Sequence, residues 1–194
     1  MITGSSVVTP ERFKTGLGSF REWMQAIPER HQEFQRHYDG YIPDAQDIAA
    51  VKALVQKHGV KALALGEHWC PDVWRGFPVL ARIAEQTGME VRYFFRDKNM
   101  DVMNEFLKNG KSACIPTIVF YDRDHQYLGH WIERPKAAYE VLGPLIAAMK
   151  AAPEGTDERR AAIARLTEAN WAGAAEWRHA TLRELRALLE ARLK

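Results

Sequence analysis

Cysteine is scarce in this sequence: its 194 residues include Cys70 and Cys114 and no third. Two thiols cannot build the disulfide framework of a small secreted scaffold, so each is a free thiol or half of a functional pair. Metal-binding spacings are missing as well. No Cys-x-x-Cys or His-x-x-x-His occurs, so His68 beside Cys70 lacks the rest of a four-ligand site, and neither a metal nor a cofactor is expected. No apolar run reaches bilayer length, so no membrane span is expected. The polar stretch Met1 to Gly18 has no apolar signal core, which points to a cytoplasmic protein. Neither sign of charge dominates, with 27 Lys and Arg against 25 Asp and Glu, so no field strong enough to recruit nucleic acid is implied. Internal repeats and low-complexity stretches are also absent.

What is present is enough apolar residue, 46% of the chain, for one filled core with additions. Thr9-Pro10 reads as an N-cap followed by proline in the first helical turn, and Ser19 to Glu22 has capping-box spacing. A further helix is predicted from near Pro28 to before Asp39. Ile48, Val51, Leu54 and Val55 then recur at helical spacing up to Gly59. Val60 to Leu65 reads as a buried strand, the segment ending before Gly88 as a helix, and Glu90 to Phe95 as a second, parallel strand. A short helix over 99–108, a hairpin of Thr117–Tyr121 and Gln126–Ile132, and a helix over 135–150 complete the pattern. Beyond Pro153 to Gly155, Thr156 caps one helix, and Leu182, Leu185, Leu188, Leu189 and Leu193 line a face of another. That face must lie on the domain body or on a second chain, and its size suggests a homodimer. Trp23, Trp131, Trp171 and Trp177 read as core or docking residues.

The chemistry-bearing feature is Glu67-His68-Trp69-Cys70-Pro71-Asp72-Val73, where a strand runs into a cysteine that opens a helix. The unpaired N–H groups and the dipole at a helix start favour a thiolate, so Cys70 is expected to be partly exposed with a lowered pKa, against which the charge of Asp72 competes. The plain alternative is a structural thiol at a strand end. Glu67 and His68 could relay protons or merely be solvated.

Taken in order, Trp69 before Cys70, Pro78 inside the following helix, and Ile115-Pro116-Thr117 at a strand start resemble the thioredoxin-like family. The resemblance implies an α/β, three-layer fold with a central mixed sheet. It places the thioredoxin-like domain at 45–152, a helical extension at 1–44, and a helical tail at 153–194. It implies that Cys70 is the attacking thiol, that Trp69 is an apolar wall beside it, and that Pro116 is a cis-proline. On this reading the substrate side is formed by Trp69, Pro71, Ile115, Pro116 and Thr117. Two family roles find no residue: Val73 stands where the resolving cysteine would be, and Ala64 where many thioredoxins hold a buried acid.

A mixed disulfide at Cys70 would therefore need another thiol for release. Cys114, two residues before Pro116, could supply it if its Cα lay within about 7 Å of that of Cys70, or could simply pack as a small hydrophobe. Two functions follow. One is thiol–disulfide exchange with protein or small-molecule thiols and disulfides, using Cys70 alone, with glutathione or Cys114 as resolver. The other is a non-catalytic binding module that keeps the cis-proline groove. A weaker third is iron–sulfur ligation by one cysteine per chain plus glutathione.

Overall fold

A computed structural model describes residues 6–193. Four strands form one mixed sheet in the order β2-β1-β3-β4. Strand β1 (Lys61–Gly66) runs parallel to β2 (Glu90–Phe95) and antiparallel to β3 (Thr117–Tyr121), which pairs antiparallel with β4 (Tyr127–Ile132). Ala62 to Leu65 are fully buried, as the apolar run requires of a central strand.

Among the described residues four helices precede the sheet, the first three being α1 (Pro10–Lys14), α2 (Phe20–Ala26) and α3 (His31–Asp39). The expected start of α3 near Pro28 shifts to His31, because Arg30 adopts a left-handed backbone (φ 71°) that breaks the turn before it. Helix α4 (Ala45–His58) is capped by Asp44, whose Oδ1 accepts from Gln46 N and Asp47 N, and is stopped by left-handed Gly59. The helix after the Trp-Cys-Pro motif is α5 (Pro71–Thr87), with Pro78 inside it.

The helix expected over 99–108 is shorter. Helix α6 (Met100–Met103) passes into a 3₁₀ turn, Asn104–Phe106. Val102, Met103 and Phe106 are buried there, and Leu107 then turns extended so that Lys108 can bridge to Ser112. Helices α7 (Lys136–Ala151), α8 (Asp157–Ala172) and α9 (Ala174–Arg192) follow.

The core is continuous from Val8 and Phe13 through the sheet to the tail. Leu182, Leu185 and Leu189 of α9 are buried in it, beside Val51, Leu80, Ile83 and Phe120. Trp177 closes a smaller cluster with Ala138 and Leu142 of α7. The leucine face is thus covered largely by its own chain, with Leu188 and Leu193 partly buried against the same core. Arg186 holds α9 to α4 through Asp47 at 2.9 Å. Among the described residues, no helix is long and apolar enough to cross a membrane.

Candidate active site around Cys70

Cys70 is the N-cap residue of α5, with its carbonyl accepting from Val73 N at 3.0 Å and Trp74 N at 3.1 Å. Pro71 in the first turn suits this, since its missing N–H is one that a helix start leaves unpaired. The side chain is half-buried, and its Sγ donates to the carbonyl of Ile115 at 3.7 Å. The Ile115–Pro116 peptide bond is cis, and the Cys70–Ile115 contact brings the two motifs together as the family resemblance implies. Gly76 makes the approach fit: a Cβ there would lie 2.8 Å from Pro116 Cγ, so only glycine lets the loop rest on α5.

The expected lowered thiol pKa is not found. Burial, reinforced by the Asp72 carboxylate, pushes the Cys70 thiol up to about 11, against the lesser pull of the Val73 and Asp72 N–H groups. The helix start does favour a thiolate, but removing sulfur from water costs more than those dipoles return. The Ile115 carbonyl acts in the same direction, because an acceptor stabilises the protonated form. At pH 7 only roughly one such thiol in ten thousand is ionised.

Val73 is fully buried with Phe77, facing the interior as its place in the helix implies. Cys114 is a half-buried free thiol, and the two cysteines form no disulfide. Burial and the Glu133 carboxylate both raise the Cys114 thiol. Thr117, fully buried, donates its hydroxyl to the Cys114 carbonyl at 2.8 Å and so braces the loop. Ile115 and Pro116 are buried too, which leaves backbone rather than side chain for any partner at this loop. The Ile115 N–H has no acceptor among the described residues. Trp69 is 46% exposed, the open wall of the site. Arg96 lies over its ring at 5.1 Å and donates to the Ala113 carbonyl at 3.1 Å, tying that wall to the loop.

Sequence reasoning missed a chain of buried charge. Asp72, buried, pairs with Arg75 and, at 2.6 Å, with Arg134. Arg134 also meets Glu133 at 2.6 Å, and Glu133 accepts from Lys108 at 2.6 Å and the Tyr139 hydroxyl at 2.9 Å. Burial alone would raise Glu133, but Lys108, Arg134 and Tyr139 outweigh it and hold the carboxyl below its usual range. Arg75 passes the chain to the tail, donating to Asn170 Oδ1 at 2.7 Å and lying over Trp177. The available signal was Glu133-Arg134-Pro135, a charged pair at the junction between an apolar strand and a helix. Glu67, expected to be solvated or to relay protons, is buried and accepts from Asp97 N at 2.8 Å, and burial raises its carboxyl. His68 is half-buried, with Nε2 3.7 Å from Glu29. Among the described residues, no group of three His, Cys, Asp or Glu side chains could hold a metal ion.

A thioredoxin family model matches residues 18–152. The chain belongs to the thioredoxin-like family. In this thioredoxin-like protein the matched segment contains the whole Cys70 site and begins before α2, so it includes helices ahead of the sheet. Two solved structures share the fold. One, a protein of unknown function from Pseudomonas aeruginosa, is 18% identical with a TM-score of 0.63, over 92% of this chain and 95% of that one. The other, an HIV epitope scaffold, is 19% identical with a TM-score of 0.63, over 93% of this chain and 96% of that one. At that identity they show the fold alone. No curated protein matches the sequence.

Proposed function

We propose that this thioredoxin-like protein is a binding module whose groove, between Trp69 and the cis-proline loop, accepts an extended polypeptide segment, with Cys70 kept as a thiol at neutral pH. The carrying observation is the Cys70 thiol itself: it donates to Ile115, sits beside Asp72, and has buried Val73 where a resolving thiol would stand. The free Ile115 N–H and exposed Trp69 support a backbone-and-aromatic mode of recognition. The test is Cys70 alkylation rate against pH, with Cys114→Ser removing the second thiol. A rate still rising beyond pH 9 supports the module; a plateau below pH 8 refutes it.

A second reading, single-cysteine thiol–disulfide exchange, draws support from two free thiols flanking one loop. The Cys70 thiolate would attack a disulfide sulfur, joining one half and expelling the other as a thiolate. A glutathione or Cys114 thiolate would then attack the Cys70 sulfur and expel the joined half as a thiolate, and further glutathione, itself oxidised to its disulfide, would return Cys70 to the thiol. Disulfide reduction that requires Cys70 and depends on added glutathione or on Cys114 would establish this reading over the first.

A further inference from the structure

A cavity of ≈ 560 Å³ opens beside Pro71, between α3, the first turns of α5, and α8. Its size is that of a small-molecule site. Pro71, Trp74, Ile163, Leu166 and Trp171 supply apolar wall, and Ile163, 45% exposed, is one of the few large apolar side chains left open to solvent. Neutral His37 stacks on Trp171 with ring centroids 4.5 Å apart, which fixes the plane of that indole.

Two donor groups at this cavity lack a protein acceptor. The Arg36 guanidinium lies 4.2 Å over the Trp171 ring and pairs with no carboxylate among the described residues. Asn170 accepts from Arg75 through Oδ1, which leaves its amide N–H groups with no acceptor among the described residues. The remaining cation at the rim, Arg30, is already met by Glu33 at 3.3 Å and Glu29 at 3.8 Å. One uncompensated, bidentate guanidinium over flat apolar walls is complementary to one carboxylate on a planar body.

We propose that this cavity binds a small aromatic carboxylate, its ring in the apolar space among Pro71, Trp74, Ile163 and Leu166 and its carboxylate on Arg36 and Asn170. The site uses residues of α3, α8 and the first turn of α5 and makes no demand on the Cys70 thiol, so it stands whether or not Cys70 turns over. The test is calorimetric titration of the full chain with 2-naphthoate and its neutral analogue 2-naphthamide, with indole N–H signals followed by NMR. Naphthoate should bind saturably with one equivalent and shift indole signals. The amide should bind roughly tenfold more weakly, as loss of a charge-assisted pair requires. Arg36→Gln should bring the acid and the amide to equal affinity, while Cys70→Ser should bind as the natural protein does. Using the amide on the unaltered chain makes the outcome independent of whether Arg36→Gln perturbs Trp171. Equal affinity for acid and amide, an unaltered preference in a folded Arg36→Gln protein, dependence on Cys70, or no saturable binding to millimolar concentration would each overturn the proposal.

Discussion

The first turn of α5 has two unlike neighbours. Toward the cis-proline loop its groups are closed on one another: the Cys70 thiol on Ile115, the Asp72 carboxylate on Arg75 and Arg134, and Gly76 against Pro116. Toward α3 and α8 the same turn borders open volume in which Arg36 and the Asn170 amide find no acceptor. The difference teaches where each kind of chemistry can occur. Groups closed on one another hold a thiol quiet and a loop in place, whereas solvent-accessible donors beside apolar walls are what a ligand can use.

The comparison breaks most severely where both neighbours lose their common support. Leu185 is buried beside Val51, Leu80, Ile83 and Phe120, so Leu185→Ala should cost about 2–5 kcal/mol in denaturant unfolding. A loss under 1 kcal/mol would mean that α9 is dispensable to the core.

Acid should act on the tail side first. Burial, then the charges of Arg75, Arg178 and Arg36, lowers His37 from 6.5 to about 3, and its Nδ1 faces Arg178 while its ring stacks on Trp171. Because the unfolded His37 binds a proton near pH 6.5 and the folded one does not until about 3, stability is unaffected above that window and falls as pH drops through it. By pH 5 the loss from this residue is about 2 kcal/mol. Unfolding measured at pH 7 and pH 5 should show it, and His37→Gln should flatten that part of the slope.

Gly76→Ala tests the closed side. A methyl group 2.8 Å from Pro116 must displace the loop or the helix, at about 1–3 kcal/mol, with a change at Trp69 or Cys70 and none at the Arg36 cavity. Last is Asp72→Asn, read at the thiol and not in stability because it also leaves buried Arg75 and Arg134 without their carboxylate; it removes the second cause of the raised thiol. Cys70 should titrate below about 11. For each unit of that fall, alkylation at pH 8 should speed up by roughly threefold rather than tenfold, since nucleophilicity declines with basicity. An unchanged rate would show that burial alone sets the thiol.

The route from residues to fold was local for much of the chain. Asp44 and Gly59 bound α4, Pro71 and Gly88 bound α5, and the apolar run of β1 is bounded by glycines; these are signals carried within a few residues by capping and backbone freedom. The placing of Cys70 opposite Pro116 was not local: it came from the resemblance to the thioredoxin-like family. Boundaries slipped where a single unusual backbone decided them, as at Arg30, or where packing shortened a helix, as at Phe106.

Sequence by itself therefore determined the strand and helix order, the cysteine at a helix start and the valine three residues after it, because these depend on residue type and near neighbours. Only the tertiary structure decided the ionisation of Cys70, the run of charge from Asp72 through Arg134 to Glu133, the covering of the α9 leucines, and the cavity beside Pro71. Each of these depends on how much water is removed from a group and on which charges arrive from distant segments, quantities that spacing along a chain does not contain.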